Sequence, residues 1–228
     1  MYYNVQMAEK VPGYNLTQEE LNIELGVEAD PVEVRKQVER IVKKWPEAKG
    51  REKPCVLLLG GFQGSGKTTT LDSLSQKLGL VVISPDEIRH NLFAEGHTFS
   101  LDFVKIVNAT KFALIEEALS RGYVTAVDQA LTPDRVKMVK EVTGGSQTEI
   151  VSIFLVAPKD ILRQRVLTRP SLPGRYTGKV DELEASLAKY EERYGDPSQN
   201  GYDLVIDTSK NDLQKVTDLI QKVIRKKI

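Results

Sequence analysis

The residues best suited to chemistry in this sequence form a glycine-rich stretch, GGFQGSGKTTT, at positions 60–70. Gly61 is followed, after four residues, by Gly66-Lys67-Thr68, which is the spacing of a phosphate-binding loop. Such a loop points successive backbone N–H groups at phosphate oxygens, and glycines keep side chains out of the turn. We therefore predict that this stretch binds the phosphates of a nucleoside triphosphate. The predicted nucleotide-binding residues are Gly61, Phe62, Gln63, Gly64, Ser65, Gly66, Lys67, Thr68 and Thr69.

Two side chains of this loop have distinct predicted roles. Lys67 supplies a mobile cation to the outer phosphates, and the hydroxyl of Thr68 is a ligand for Mg²⁺. The loop follows an apolar run at 55–60 and precedes leucines at helical spacing from Leu71, which is the strand–loop–helix context that the motif requires. The helix that begins near Gly66 adds the positive end of its dipole to the site.

A candidate acceptor site follows the next apolar run. Asp86 comes just past the predicted strand at 80–84, and ligands of open α/β sheets gather at the carboxyl ends of the strands. A carboxylate there can accept the proton of an acceptor hydroxyl during phosphoryl transfer. The alternative is that Asp86 only begins a helix at 86–95. Arg89 lies one turn later, where it either holds an anionic part of the acceptor or is a solvated surface charge.

Asp128 ends the predicted strand at 123–128. An acidic residue at this place commonly holds a magnesium-bound water, so we predict Asp128 as a second magnesium residue that borders the substrate. The guanine-reading signatures Asp-x-x-Gly and Asn-Lys-x-Asp are both missing, which argues against a guanine-nucleotide switch. ATP and Mg²⁺ are therefore the expected cofactors.

A basic segment at 160–179 is interpreted as a lid. Arg165 and Arg169 are four residues apart and so share a helix face, and the Pro/Gly-rich stretch that follows contains Arg175. The planar guanidinium of arginine can bridge two phosphate oxygens, so Arg165 and Arg169 are predicted to be catalytic and Arg175 to contact substrate. The alternative is a solvated basic face.

The composition is that of an ordinary α/β protein. The chain has 228 residues and a formal net charge of zero, so any contact with nucleic acid must be local. The one cysteine, Cys55, excludes an internal disulfide framework and opens an apolar run, so we expect a small buried hydrophobe. No targeting signal and no apolar run long enough to cross a membrane is visible, so a cytoplasmic location is expected.

Apolar runs and helical stripes alternate from residue 54 onward. This pattern predicts a P-loop NTPase kinase-like α/β fold, with a five-stranded, mainly parallel sheet flanked by helices. The predicted strands are 55–60, 80–84, 123–128, 149–157 and 203–209. We assign 54–228 to a P-loop kinase domain and 1–53 to a helical N-terminal extension.

The extension contains two helix starts. Thr17-Gln18-Glu19-Glu20 has the pattern of a capping box, and Asp30-Pro31-Val32-Glu33 predicts an aspartate cap, a proline at the first helical position and a glutamate that reaches back. The apolar stripe that follows either packs on the body of the protein or recruits a protein partner. Its members are Val34, Val38, Ile41 and Trp45.

Taken together, these motifs resemble the kinase domain of 5′-hydroxyl polynucleotide kinases. The resemblance rests on the phosphate loop, the SPDEIR stretch at 84–89, the strand that ends in Asp128, and Arg165-x-x-x-Arg169. The related zeta-toxin-like kinases, which phosphorylate UDP-N-acetylglucosamine, share much of this layout. The similarity covers roughly residues 54–208 and implies a strand order of 2-3-1-4-5.

The resemblance also implies roles for individual residues. Asp86 is implied to be the general base, Arg89 to contact the acceptor's phosphate, and Arg169 to stabilise the transferred phosphoryl group from the lid. The expected activity is an ATP-dependent kinase whose acceptor hydroxyl is a polynucleotide 5′ end. A nucleotide-sugar or other small-molecule acceptor is the alternative, and the absence of a proline after His90 favours the polynucleotide kinases. A non-enzymatic alternative is an ATP-binding switch that contacts a protein partner through the extension.

Overall fold

The fold was obtained as a computed structural model. It describes residues 11–13, 15–47, 54–129, 131–143, 148–168, 184–185, 187–188 and 195–227. The elements described, in chain order, are α1 (Gln18–Leu25), α2 (Pro31–Val42), β1 (Cys55–Gly61), α3 (Lys67–Leu78), β2 (Val81–Ile83), α4 (Pro85–Ala94), α5 (Leu101–Ser120), β3 (Val124–Asp128), α6 (Pro133–Val142), β4 (Glu149–Val156), α7 (Lys159–Leu167), β5 (Leu204–Asp207) and α8 (Leu213–Lys227). A short 3₁₀ turn occupies Pro197–Gln199.

One five-stranded sheet organises the protein. Its strand order is β2-β3-β1-β4-β5, and the pairs of neighbouring strands are parallel. The predicted fold class and strand order are thus confirmed. All seven residues of the central strand β1 are buried, as the continuous apolar run predicted. The outer strands β2 and β5 are shorter than expected from their apolar runs.

The two faces of the sheet carry separate cores. Val56 and Leu58 of β1 pack into one cluster with α4, α5 and α6, whereas Leu57 and Leu59 pack into the other with α3 and α8. This alternation follows from the two-residue period of a strand, which sends successive side chains to opposite faces. Cys55 belongs to the second core and is fully buried, as predicted.

The N-terminal helices pack on the first of these cores. Leu21 of α1 and Ile41 of α2 are buried in it, and both helices contact α5. Trp45 lies beyond the end of α2 but meets the ring of Tyr123 edge-on, with centroids 5.6 Å apart. The apolar stripe therefore packs on the body of the protein.

The two predicted helix caps differ in outcome. Thr17 forms the complete capping box with Glu20, as expected. Asp30 caps α2 through the N–H of Val32 at 2.9 Å, but Glu33 does not reach back. Its carboxylate instead accepts a hydrogen bond of 2.7 Å from the side-chain amide of Gln37, because both lie on the same face of α2. None of the described helices is both long enough and apolar enough to span a membrane.

Candidate functional site

The phosphate-binding loop links β1 to α3 and is pressed against neighbouring backbone. Gly64 has a φ of +86°, and a Cβ added there would lie 2.8 Å from the carbonyl oxygen of Leu162 in α7. A Cβ at Gly61 would lie 2.6 Å from the carbonyl oxygen of Leu155 in β4. Larger residues would therefore displace the loop, so glycine is required at both positions.

Polar groups inside the loop suit bound phosphates. The ammonium of Lys67 donates to the carbonyl oxygens of Gly61 at 2.9 Å and Phe62 at 3.2 Å, which holds it across the loop. The hydroxyl of Ser65 is fully buried and has no hydrogen-bond partner among the described residues. A buried hydroxyl without a partner is costly unless a ligand satisfies it. The cradle thus fits the phosphates of ATP, and the half-buried Thr68 in the first turn of α3 is placed as a candidate magnesium ligand.

Asp128 lies next to this loop. It is the last residue of β3 and is in register with Leu59 of β1, two residues before Gly61. Neighbouring strands are about 4.8 Å apart, so the half-buried Asp128 borders the base of the loop. Asp128 and the loop that leads to Thr68 therefore follow adjacent strands, and these are the two residues that were predicted to hold Mg²⁺. Their joint coordination of the ion stays a prediction.

Asp86 and Arg89 form an ion pair on α4, one strand further along the same edge. Ser84 is the N-cap of α4 but makes no side-chain capping bond, and Asp86 follows in the first turn. The carboxylate of Asp86 is 81% exposed and its contact is with Arg89, so it is accessible to a ligand from solvent. Its position at the carboxyl end of β2 is the one that the sequence predicted for an acceptor site.

Arg165 is placed beside the phosphate loop. Its guanidinium donates to the hydroxyl of Thr208 at 2.8 Å and to the carbonyl oxygen of Thr208 at 2.9 Å, with a longer bond of 3.4 Å to the carbonyl oxygen of Gly64. These bonds join α7, the phosphate loop and the segment after β5. Arg169 and Arg175, the other predicted lid arginines, lie outside the described residues.

A cavity of about 650 Å³ opens between these elements. Its walls include Gly64, Thr69, Arg165, Thr208 and Asp212. The segment after β5 was not predicted as part of a site, although it follows the carboxyl end of a strand, where ligands of such sheets gather. This cavity is large enough for a nucleoside, so the part of a nucleotide beyond its phosphates has a place next to the loop.

Lys111 is a further polar residue that sequence reasoning missed. It lies in the middle of α5, its residue is 3% exposed, and burial lowers the pKa of its ammonium to about 7. The positive charge of Arg135 acts in the same direction. Lys111 lies on the buried side of α5, next to the buried Thr110. Its place in the helical spacing of the apolar residues was the feature of the sequence that could have identified it.

Comparison with known proteins places the chain in a family. Residues 56–193 match the AAA_33 model, described as an AAA domain. The chain is 29% identical over 176 residues to a cytidylate kinase of Methanocella arvoryzae, which covers 74% of this chain and 96% of that relative.

Two solved structures share the fold. The PezAT toxin–antitoxin structure of Streptococcus pneumoniae has a TM-score of 0.53 at 18% identity and 88% coverage of each chain. The shikimate kinase of Bacteroides thetaiotaomicron has a TM-score of 0.52 at 16% identity, covering 75% of this chain and 98% of that one. The chain therefore has the α/β P-loop kinase fold and, because the family model matches more than half of it, belongs to the AAA domain family AAA_33.

Proposed function

We propose that this protein is an ATP-dependent kinase that transfers the γ-phosphate to an acceptor bound at the carboxyl ends of β2 and β3. The observation that carries the proposal is the arrangement along one edge of the sheet. The phosphate loop follows β1, Asp128 ends the adjacent β3, and the Asp86–Arg89 pair begins the helix after β2. A nucleotide in the loop and an acceptor beside Asp86 would thus lie on neighbouring strand ends.

The step at a hydroxyl acceptor needs a base. The acceptor oxygen forms a bond to the γ-phosphorus, the bond from that phosphorus to the bridging oxygen of ADP breaks, and the hydroxyl proton passes to the carboxylate of Asp86. Lys67 and the backbone N–H groups of the loop hold the phosphates in position. Mg²⁺, held by Thr68 with help from Asp128, would neutralise phosphate charge during the transfer.

The arginines have separate proposed roles. Arg89 holds an anionic group of the acceptor after it exchanges Asp86 for that group. Arg165 forms one wall of the cavity beside the loop and reaches the nucleotide there, since its bonds to Thr208 already place it at that wall. Roles for Arg169 and Arg175 in the lid stay predictions.

Among hydroxyl acceptors we favour the 5′ end of a polynucleotide. The support is the SPDEIR stretch with Asp86 and Arg89 in the positions that the resemblance to polynucleotide kinases implies. UDP-N-acetylglucosamine is the alternative from the zeta-toxin-like kinases. The acceptor would be gripped at its last nucleotides, because the chain has no net positive charge.

A nucleoside monophosphate is a second candidate acceptor. The similarity to a cytidylate kinase over 96% of that relative's length favours it. In that case the attacking atom is a phosphate oxygen, which carries no proton that must be removed. Arg89 would then bind the acceptor phosphate, and Asp86 would orient Arg89 instead of acting as a base.

The test offers γ-labelled ATP and Mg²⁺ to the purified protein with one acceptor at a time. The acceptors are a 5′-hydroxyl oligonucleotide, UDP-N-acetylglucosamine and CMP, and Lys67→Ala is the inactive control. Label on the oligonucleotide supports the favoured proposal, and label on one of the other two selects that alternative. Absence of transfer to all three and to a metabolite extract would contradict a kinase and leave the ATP-binding switch.

A further inference from the structure

We propose that the buried Lys111, together with Arg135 and the exposed Arg89, forms a site for a phosphate group of the acceptor, bordered by helix α1 of the N-terminal extension. The inference rests on the proposed kinase function for its biological meaning, but the site itself can be tested without turnover. It adds to the acceptor site a residue from α5 and a wall from the extension.

The height of Lys111 along the sheet supports this position. Helix α5 runs back against the sheet before the short turn into β3, and it contacts both β2 and β3. From Ser120 back to Lys111 the helix rises about 14 Å. From Val124 to Asp128 the strand rises about 13 Å. Lys111 is therefore level with the carboxyl edge where Asp128 ends and the acceptor would bind.

The two arginines reach the same level from other helices. Arg89 lies in α4, which begins two residues after β2, and Arg135 lies in the first turn of α6, which follows β3 after a short connection. The charges of Arg135 and Arg89 both act on the ammonium of Lys111, as does the carboxylate of Glu24 in α1. Four helices thus bring charged groups to one place.

The hydrogen bonding of Lys111 is incomplete. An ammonium has three N–H donors. In the part of the chain that the structure describes, its ammonium donates to the side-chain oxygen of Asn108 at 3.3 Å, which is a long bond. Asn108 is itself held by α1, since its amide donates to the carbonyl oxygen of Ile23 at 2.9 Å. The ammonium also lies over the ring of Phe112, 4.3 Å from its centroid, which satisfies none of its N–H groups with an oxygen acceptor.

The balance of charge points to an anion. Arg135 is paired with Glu24, and Arg89 is paired with Asp86. Within the described ranges Lys111 forms no ion pair with a carboxylate. These five groups therefore carry one excess positive charge when Lys111 is protonated. Burial and the charge of Arg135 lower the pKa of Lys111 to about 7, so the protonated ammonium destabilises the folded protein. A bound anion would offset that destabilisation.

A second unsatisfied donor lies at the same edge. Gln129 directly follows Asp128, is 8% exposed, and its amide Nε2 has no acceptor among the described residues. Buried amide donors are normally hydrogen-bonded, so a ligand oxygen is the expected partner. A phosphate group suits the site better than a carboxylate, because it carries a charge of about −1.5 to −2 and three acceptor oxygens.

The experiment measures binding of inorganic phosphate to the full chain by calorimetry, with the phosphate loop filled by saturating Mg²⁺ and a non-hydrolysable ATP analogue. We expect one remaining phosphate site in the wild type. In Lys111→Met we expect the affinity of this site for inorganic phosphate to fall by about tenfold or more, because a charge-assisted hydrogen bond is lost. Affinity for the nucleotide should be unchanged, because the cavity beside the phosphate loop is lined by residues of other elements than α5.

Lys105→Met is the matched control. Lys105 lies on the same helix and its removal changes the net charge equally, but its ammonium pairs with Glu28. The affinity of Lys105→Met for inorganic phosphate should equal that of the wild type. Equal weakening in both variants, or no second phosphate site in the wild type, would overturn the inference. If the site is present but no acceptor is phosphorylated, the inference stands and the proposed kinase function fails. If an acceptor is phosphorylated but Lys111→Met binds inorganic phosphate as tightly as the wild type, the kinase function stands and the inference fails.

Discussion

The guanidinium of Arg135 and the carboxylate of Glu24 form a two-pronged ion pair between α6 and α1. The Nε–Oε2 distance is 3.0 Å and the Nη2–Oε1 distance is 2.5 Å. The side chains are 18% and 17% exposed, so the pair is largely withdrawn from solvent. Because Arg135 lies in the first turn of α6, this contact fastens the N-terminal extension to the carboxyl edge of the sheet, where the acceptor site is proposed.

Removing the charge of Glu24 should loosen that attachment. In Glu24→Gln the guanidinium of Arg135 would stay buried without a carboxylate, so we expect the free energy of unfolding to fall by about 1–3 kcal/mol. Urea denaturation measures the change. Glu117→Gln is the control, because Glu117 pairs with Arg121 on the surface, with 36% and 45% of the two side chains exposed. That pair should contribute less than about 1 kcal/mol, and an equal loss in both variants would contradict the prediction.

Substitution of Asp86 should discriminate between the two kinds of acceptor. If the acceptor is a hydroxyl, Asp86→Asn removes the base, and kcat should fall by about 10²–10⁴-fold with ATP binding intact. If the acceptor is a phosphate, no proton is removed and the loss should be much smaller. Steady-state rates and ATP binding by calorimetry provide the measurement.

Glu87→Gln is the matched control for Asp86→Asn. Glu87 is the next residue of α4, but its carboxylate pairs with Lys44 of the extension at 2.6 Å. The steady-state rates of Glu87→Gln should remain near those of the wild type. Full turnover of a hydroxyl acceptor by Asp86→Asn would remove Asp86 from the role of base.

The phosphate loop should tolerate no side chain at Gly64. Gly64→Ala would combine backbone strain of about 1–2 kcal/mol at positive φ with a Cβ only 2.8 Å from the carbonyl oxygen of Leu162. We expect both lower stability and weaker ATP binding. Gly96→Ala is the control, since Gly96 has a similar φ of +89° with nothing within 4 Å of the added Cβ. Thermal unfolding and ATP titration should show the larger effects at Gly64, and equal effects would refute the steric explanation.

Stability should respond to pH through Lys111. Its pKa is about 7 in the folded protein and near 10.5 in the unfolded chain. Below pH 7 both states bind the proton, and the cost of the buried charge is fully present. Between pH 7 and 10.5 the unfolded chain binds more protons, so this contribution to the free energy of unfolding rises with pH.

Lys111→Met removes the buried charge and should therefore stabilise the protein, more at pH 6 than at pH 10. Denaturation curves at both pH values, with Lys105→Met as the control, measure the difference. The charged groups that act on Lys111 from neighbouring helices are Glu24, Arg89 and Arg135. A stabilisation that does not change with pH would mean that Lys111 titrates normally.

Local features were predictable because residues close in sequence determine them. The phosphate loop was recognised from glycine spacing, and the cap at Thr17 from a four-residue pattern. The strands were found as apolar runs, since a strand buried on both faces has few polar positions.

The sequence by itself therefore determined the class of fold, the nucleotide-binding loop and the candidate acceptor residues on the strand ends. Only the tertiary structure decided that Arg165 bonds to Thr208, that Glu24 pairs with Arg135 across 111 positions, and that the ammonium of Lys111 is buried. The physical reason is that parallel strands bring their carboxyl ends together in spatial order, here β2-β3-β1-β4-β5, and not in chain order. Packing between distant segments then determines which helices face one another at that edge. Such packing cannot be inferred from the spacing of residues that are close in sequence.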